Sequence, residues 1–129
     1  MTTFYIASSG DGLADVKLLA AVLEGRGLQN TFPWHEHWNH KCSTAVCGIL
    51  DRQDLGAVEI EAARTCDLFV GIARLGKGSH VEFGMALTGR ARRLILVGVD
   101  VADSVFYGHA RVEHVATVTG ASLLIGGWR

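Results

Sequence analysis

Five short apolar runs, Phe4–Ser8, Thr31–Trp34, Leu68–Ala73, Leu94–Val99 and Val112–Val118, recur along the chain and are rich in β-branched and aromatic residues. Each reads as a strand. The stretches between them carry helical period, and strands that alternate with helices build a parallel sheet covered on both faces. That alternation restricts the chain to an α/β sandwich of three layers. With 129 residues, 49% of them hydrophobic and 19% charged, there is enough apolar surface for one such domain and too little chain for two.

In the first helix Val16, Leu19, Ala20 and Leu23 repeat at three and four, with Asp15 placed to cap its start and Gly25 and Gly27 to end it. A second helix is expected from Asp54 to Thr65 and a third from about Ser79 to Ala91, after a loop at Arg74–Gly78. His35 to Gly48 shows no period and reads as a surface loop. Lys+Arg 12 against Asp+Glu 13 leaves a net charge of −1, with no basic stripe to neutralise a row of phosphates. Duplex nucleic acid is therefore excluded as the expected partner. No segment approaches the ~20 apolar residues of a membrane span, and MTTFYIASSG lacks the basic and apolar regions of a secretory signal. Cys42, Cys47 and Cys66 are odd in number and fit no disulfide framework, so a cytoplasmic location is expected.

The richest segment for chemistry is Gly76-Lys77-Gly78-Ser79-His80-Val81-Glu82-Phe83-Gly84-Met85-Ala86, where a strand feeds through a glycine loop into a helix. In open α/β sheets ligands bind at such turns, beyond the carboxyl ends of the strands. Glu82 is the lone carboxylate among apolar neighbours. It is expected in the helix's first turn, where free N–H groups and the macrodipole would stabilise it. At about 100° per residue it shares a face with Ala86 and Gly89, small residues that would admit a substrate or another backbone. The alternative is a first-turn acid that only favours the helix dipole.

In the second helix Leu55, Val58, Ala62 and Cys66 form the apolar stripe; Glu59 falls inside it and Glu61 roughly opposite. An inward acid needs a partner, and paired carboxylates beside a glycosidic bond supply a nucleophile and an acid/base. A Glu59 at the stripe's edge, reaching water, satisfies the same periodicity. Ser8-Ser9-Gly10, after the first strand, could cradle a phosphate or hydroxyl through backbone N–H groups, although Asp11 would repel an anion. His35, His37, His40, Cys42 and Cys47 offer zinc-type ligands in a spacing that matches no finger or ribbon, so no metal is expected. Trp34 and Trp38 bracket the histidines and could wall a pocket for a flat base. Gly89-Arg90-Ala91-Arg92-Arg93 reads as a solvated helix end.

Phe4-Tyr5-Ile6-Ala7, Glu59 eight residues before Asp67, Gly78, and Glu82-Phe83-Gly84-Met85-Ala86 stand in an order and spacing that resembles the nucleoside 2-deoxyribosyltransferase superfamily, including its deoxynucleoside 5′-monophosphate N-glycosidases. The resemblance spans most of residues 1–129 and implies a five-stranded parallel, flavodoxin/Rossmann-like sheet. It implies cleavage of the N-glycosidic bond of a 2′-deoxyribonucleoside or its 5′-monophosphate, with deoxyribose passed to another base or to water. Glu82 would be the nucleophile, Tyr5 would orient it, and Glu59 would stand where the family usually has an aspartate. Asp67 would match a recurrent acid opening the third strand, and Ser104 the position through which a neighbouring subunit of a homodimer or larger assembly reaches the substrate; Ser8, Ser9, Gly10, Gly76, Gly78, Ser79 and Trp34 complete the residues expected to bind substrate. No cofactor is implied. Gly76 departs from the Asp of the transferases and the Ser of the hydrolases, so nucleoside and nucleotide both stay open. A glycohydrolase of NAD-like dinucleotides and a non-catalytic nucleotide-binding module are the other readings.

Overall fold

The computed structural model describes residues 1–36 and 52–129. Its strands are β1 (Thr3–Ala7), β2 (Gln29–Asn30), β3 (Leu68–Ile72), β4 (Arg93–Val97) and β5 (Val112–Val115). Its helices are α1 (Leu13–Gly25), α2 (Arg52–Thr65), α3 (Lys77–Thr88) and α4 (Val118–Ile125). All strand pairs are parallel, in the order β2-β1-β3-β4-β5. This is the doubly wound, flavodoxin-like order, in which the chain reverses direction across the sheet between β1 and β3. Every residue of β3 is buried, as a central strand covered on both faces requires. Helix α1 packs with α4, and α2 with α3, giving the two outer layers.

The expected strand at Thr31–Trp34 is instead a turn, and Pro33 is the reason. Thr31 N–H still donates to Phe4 O (2.9 Å), extending the β1–β2 ladder by one bond. The next donor in register falls on residue 33, and proline has no N–H to give. The Trp34 indole Nε1–H takes over, donating to Ile6 O at 2.7 Å, and β2 stops at two residues.

The run Val112–Val118 also divides. Its strand ends at Val115, and Thr117 Oγ accepts from Gly120 N–H at 3.0 Å, capping a helix that the sequence reading did not expect. Helix α1 begins earlier than predicted, with Gly12 rather than Asp15 at its cap, because the Gly10–Gly12 turn runs straight into it. Gly12 lies close against Ser8: a Cβ there would stand 2.1 Å from Ser8 Oγ, so a larger residue would require that hydroxyl to turn away. Helix α3 starts at Lys77 and stops at Thr88. The arginines beyond it do not form a helix end: Arg90 N–H donates to Arg64 O (2.9 Å), and Arg93 opens β4, gripping Glu113 through two hydrogen bonds. Arg92 and Arg93 lie over the Trp128 ring, 4.7 and 5.6 Å from its centroid.

Candidate active site

Strand alternation turns Tyr5 to the α2–α3 face of the sheet, where its ring meets Phe69 (6.3 Å between centroids), and Phe69 in turn meets Phe83 of α3 (6.1 Å). Helix α3 buries Ser79, Glu82, Phe83 and Ala86. Glu82 is the sixth residue of α3 and so lies in its second turn, beyond the free N–H groups that were expected to steady it. Its partner comes from the sheet: the Tyr5 hydroxyl donates to Glu82 Oε2, with Tyr5 1% and Glu82 7% exposed. Burial pushes the Glu82 carboxyl up to about 8; the Tyr5 hydrogen bond pulls it down and the charge of Glu59 pushes it further up. Burial, then the Glu82 and Glu59 charges, hold the Tyr5 phenol well above its usual value, so it remains a donor.

Glu59 is half-buried on α2, and burial raises its carboxyl too. Leu55, Ala62 and Cys66 of the predicted stripe are buried, while Glu61 is exposed and pairs with Arg64 at 2.8 Å. Of the three acids on α2, Asp54 and Glu61 are exposed and Glu59 is half-buried, near enough for its charge to raise the Tyr5 and Glu82 groups. Cys66 is a packed thiol held at about 12 by burial first and the Asp67 charge second, which leaves no thiolate for chemistry. Gly89, on the small face of α3, receives the α2 backbone: a Cβ there would stand 2.4 Å from Arg64 O.

The loops at the carboxyl ends of β1 and β3 meet beside this pair. Ser9 N–H donates to Arg74 O at 2.9 Å, and a Cβ on Gly76 would meet only Ser9 Cβ, at 4.0 Å. Gly76 thus opens space that no steric demand explains. The Ser8 and Ser9 hydroxyls are buried with no hydrogen-bond partner among the described residues, and buried polar atoms of that kind call for one. Gly10 lies in the adjoining Gly10–Gly12 turn. Gly78 and Ser79 belong to the first turn of α3, Gly78 exposed and Ser79 buried.

Three expected binding residues lie elsewhere. Asp67 stands before β3 at the opposite end of the sheet, about 17 Å of strand from Ile72. It is engaged there by Thr3 N–H (2.9 Å) and the Thr3 hydroxyl (3.2 Å). Burial alone would raise its carboxyl, but the Thr3 bonds and the Arg92 and Arg90 charges outweigh that and leave it lowered. Trp34 is buried with its N–H on Ile6 O, which anchors it at the sheet edge. Ser104 Oγ accepts from Phe106 N–H (3.3 Å) and borders a separate apolar hollow of about 370 Å³ with His80, Phe83, Gly84, Leu87 and Phe106. His37, Trp38, His40, Cys42 and Cys47 lie outside the described residues.

One contact had no sequence signal. His80 Nδ1 lies 2.8 Å from Gly76 O and its Nε2 2.6 Å from the Tyr107 hydroxyl, a pairing across 27 residues that no periodicity reports. Among the described residues no helix is long and apolar enough to cross a membrane.

No protein-family model matches this chain, and no curated protein matches it in sequence. Among solved structures its fold is similar to that of the Clostridium botulinum CMP N-glycosidase BcmB, with a TM-score of 0.66 over 96% of this chain and 98% of that one. The two share 14% sequence identity, so the likeness is one of fold.

Proposed function

We propose that the protein cleaves the N-glycosidic bond of a 2′-deoxyribonucleoside or its 5′-monophosphate through a covalent glycosyl-Glu82 intermediate. The observation that carries this reading is the buried hydrogen bond from Tyr5 to Glu82 Oε2, beside the half-buried Glu59. The fold shared with a CMP N-glycosidase supports it.

With Oε2 held by Tyr5, Oε1 is the oxygen free to face an anomeric carbon. Breaking the C–N bond develops oxocarbenium charge on the sugar, which a carboxylate in a dry site stabilises before bonding to it. The C1′–N bond then breaks as the Oε1–C1′ bond forms. Glu59, kept protonated longer than an ordinary glutamate by its burial, gives its proton to the departing base. Water or a second base next attacks C1′, returns its proton to Glu59, and frees Glu82. The space at Gly76, bordered by Ser9, suits the 5′ end of the sugar. Gly76 lies about 9 Å from Glu82 along α3 at about 1.5 Å per residue, a span that a pentose and its 5′ substituent fill.

The test is incubation with a set of nucleosides and 5′-monophosphates, in both ribo and deoxy forms, with free base measured by mass spectrometry. Base release that Glu82→Gln abolishes while its circular dichroism stays unchanged is the expected result. Release undiminished in that variant rejects the reading. Nucleotide binding without turnover identifies a binding module instead, and nicotinamide release from NAD identifies a dinucleotide glycohydrolase.

A further inference from the structure

His80 stands two residues from Glu82 on α3, and the proposed chemistry makes no use of it. Side chains on a helix lean toward its amino end, so residue 80 reaches the carbonyl of residue 76. Gly76 O accepts both the His80 backbone N–H (3.1 Å) and, at 2.8 Å, ring Nδ1. A carbonyl can only accept, so Nδ1 carries a proton, and in the neutral ring Nε2 then presents its lone pair to the Tyr107 O–H at 2.6 Å. The two rings stack at 5.8 Å with 13° between their planes. Tyr107 is itself fixed: it is 5% exposed, meets Phe83 edge-on at 6.1 Å, and its carbonyl accepts from His114 Nε2 at 2.7 Å.

The turn that His80 holds is the start of α3: Gly76 is its N-cap, Lys77–Ser79 are its first residues, and of these Ser79 is buried. Gly76 and Gly78 bring no side chain to the packing, so the His80 ring adds a tertiary tie that the two glycines do not supply. We infer that His80, kept in its Nδ1–H tautomer by Tyr107, is a positioning residue that fixes the Gly76–Ser79 turn and thereby sets how tightly substrate is held. The role rests on the reading that the sugar's 5′ end occupies this turn. Because Tyr107 belongs to the Val105–Gly108 segment, the same tether makes that segment part of the frame on which the start of α3 is built.

The experiment uses the full chain in two arms. In the first, imidazole ¹⁵N–¹H correlation spectra at neutral pH should show His80 as the Nδ1–H tautomer, the minor form of free histidine. Tyr107→Phe should then shift the backbone amides of residues 76–79. In the second arm Tyr107→Phe should raise KM about fivefold with kcat unchanged, the effect of one lost hydrogen bond felt in binding. His80→Asn, whose amide reproduces the Nδ1–H donor, should keep KM near the parent value, whereas His80→Gln, which imitates the other nitrogen, should not. An Nε2–H tautomer overturns the inference, as do unmoved amides or a loss confined to kcat. If the parent protein releases no base from any substrate, the glycosidase reading fails, while the tautomer and amide shifts still decide whether the tether exists.

Discussion

A carboxyl held near 8 rather than 4.5 gives Glu82 a measurable signature in both stability and rate. The native state holds its proton where the unfolded chain has lost it, so unfolding free energy falls as pH rises from about 4.5 to about 8 and is level beyond. Glu82→Gln removes that slope. The variant should lie about 1 kcal/mol below the parent at pH 5, where the weakened Tyr5 bond is the whole difference, and should exceed it by a few kcal/mol above pH 8, where the parent has also lost the stability linked to the shift. Denaturant titrations at several pH values measure this. With Glu82 required as the anion and Glu59 as the acid, the pair must hold one proton, so kcat/KM should follow a bell that falls above about 8, and a profile still level at pH 9 or above contradicts these two roles. Tyr5→Phe takes away the hydrogen bond that favours the anion. It should lower kcat/KM at neutral pH about 10- to 100-fold and move the profile to higher pH, as a bond to a charged group of about 1.5–3 kcal/mol requires.

Helix α3 meets its neighbours through residues chosen for close approach. Gly89 lets the carbonyl of Arg64 sit where a side chain would stand, which brings the end of α2 against the end of α3 and sets Glu59 relative to Glu82. Gly89→Ala should therefore destabilise the fold by about 1–3 kcal/mol, since the clash is with backbone that cannot rotate away. Melting curves give the cost, and a fall in activity larger than the unfolded fraction explains would show that the spacing of the two acids was disturbed. Gly76 contrasts with it: a Cβ there meets only ordinary contact, so the missing side chain is a matter of the space it leaves and not of backbone strain.

At the scale of the molecule the sheet separates two jobs by its ends. Asp67, with Thr3 and Arg92, holds β1 and β3 together at their amino ends, while the loops bearing Ser8, Ser9 and Gly76 meet at the carboxyl ends. Asp67→Ala should cost about 1–2 kcal/mol from the lost Thr3 bonds and leave kcat unchanged. A matching loss of kcat would return Asp67 to the site. Hydrophobic period alone revealed the strand–helix alternation, the interior side of α2 and the odd placement of Glu59 and Glu82, because those properties depend on neighbours within a few residues. Pro33 also carried, unread, the reason why β2 is short. The resemblance already paired Tyr5 with Glu82, though no period reports that a hydroxyl on β1 reaches across to α3, and nothing in the sequence reported that Asp67 lies at the far end of the sheet or that Tyr107 fixes a histidine 27 residues away. Those contacts exist only once parallel register and helix crossing have been set, and they join side chains whose separation along the chain has no period to read.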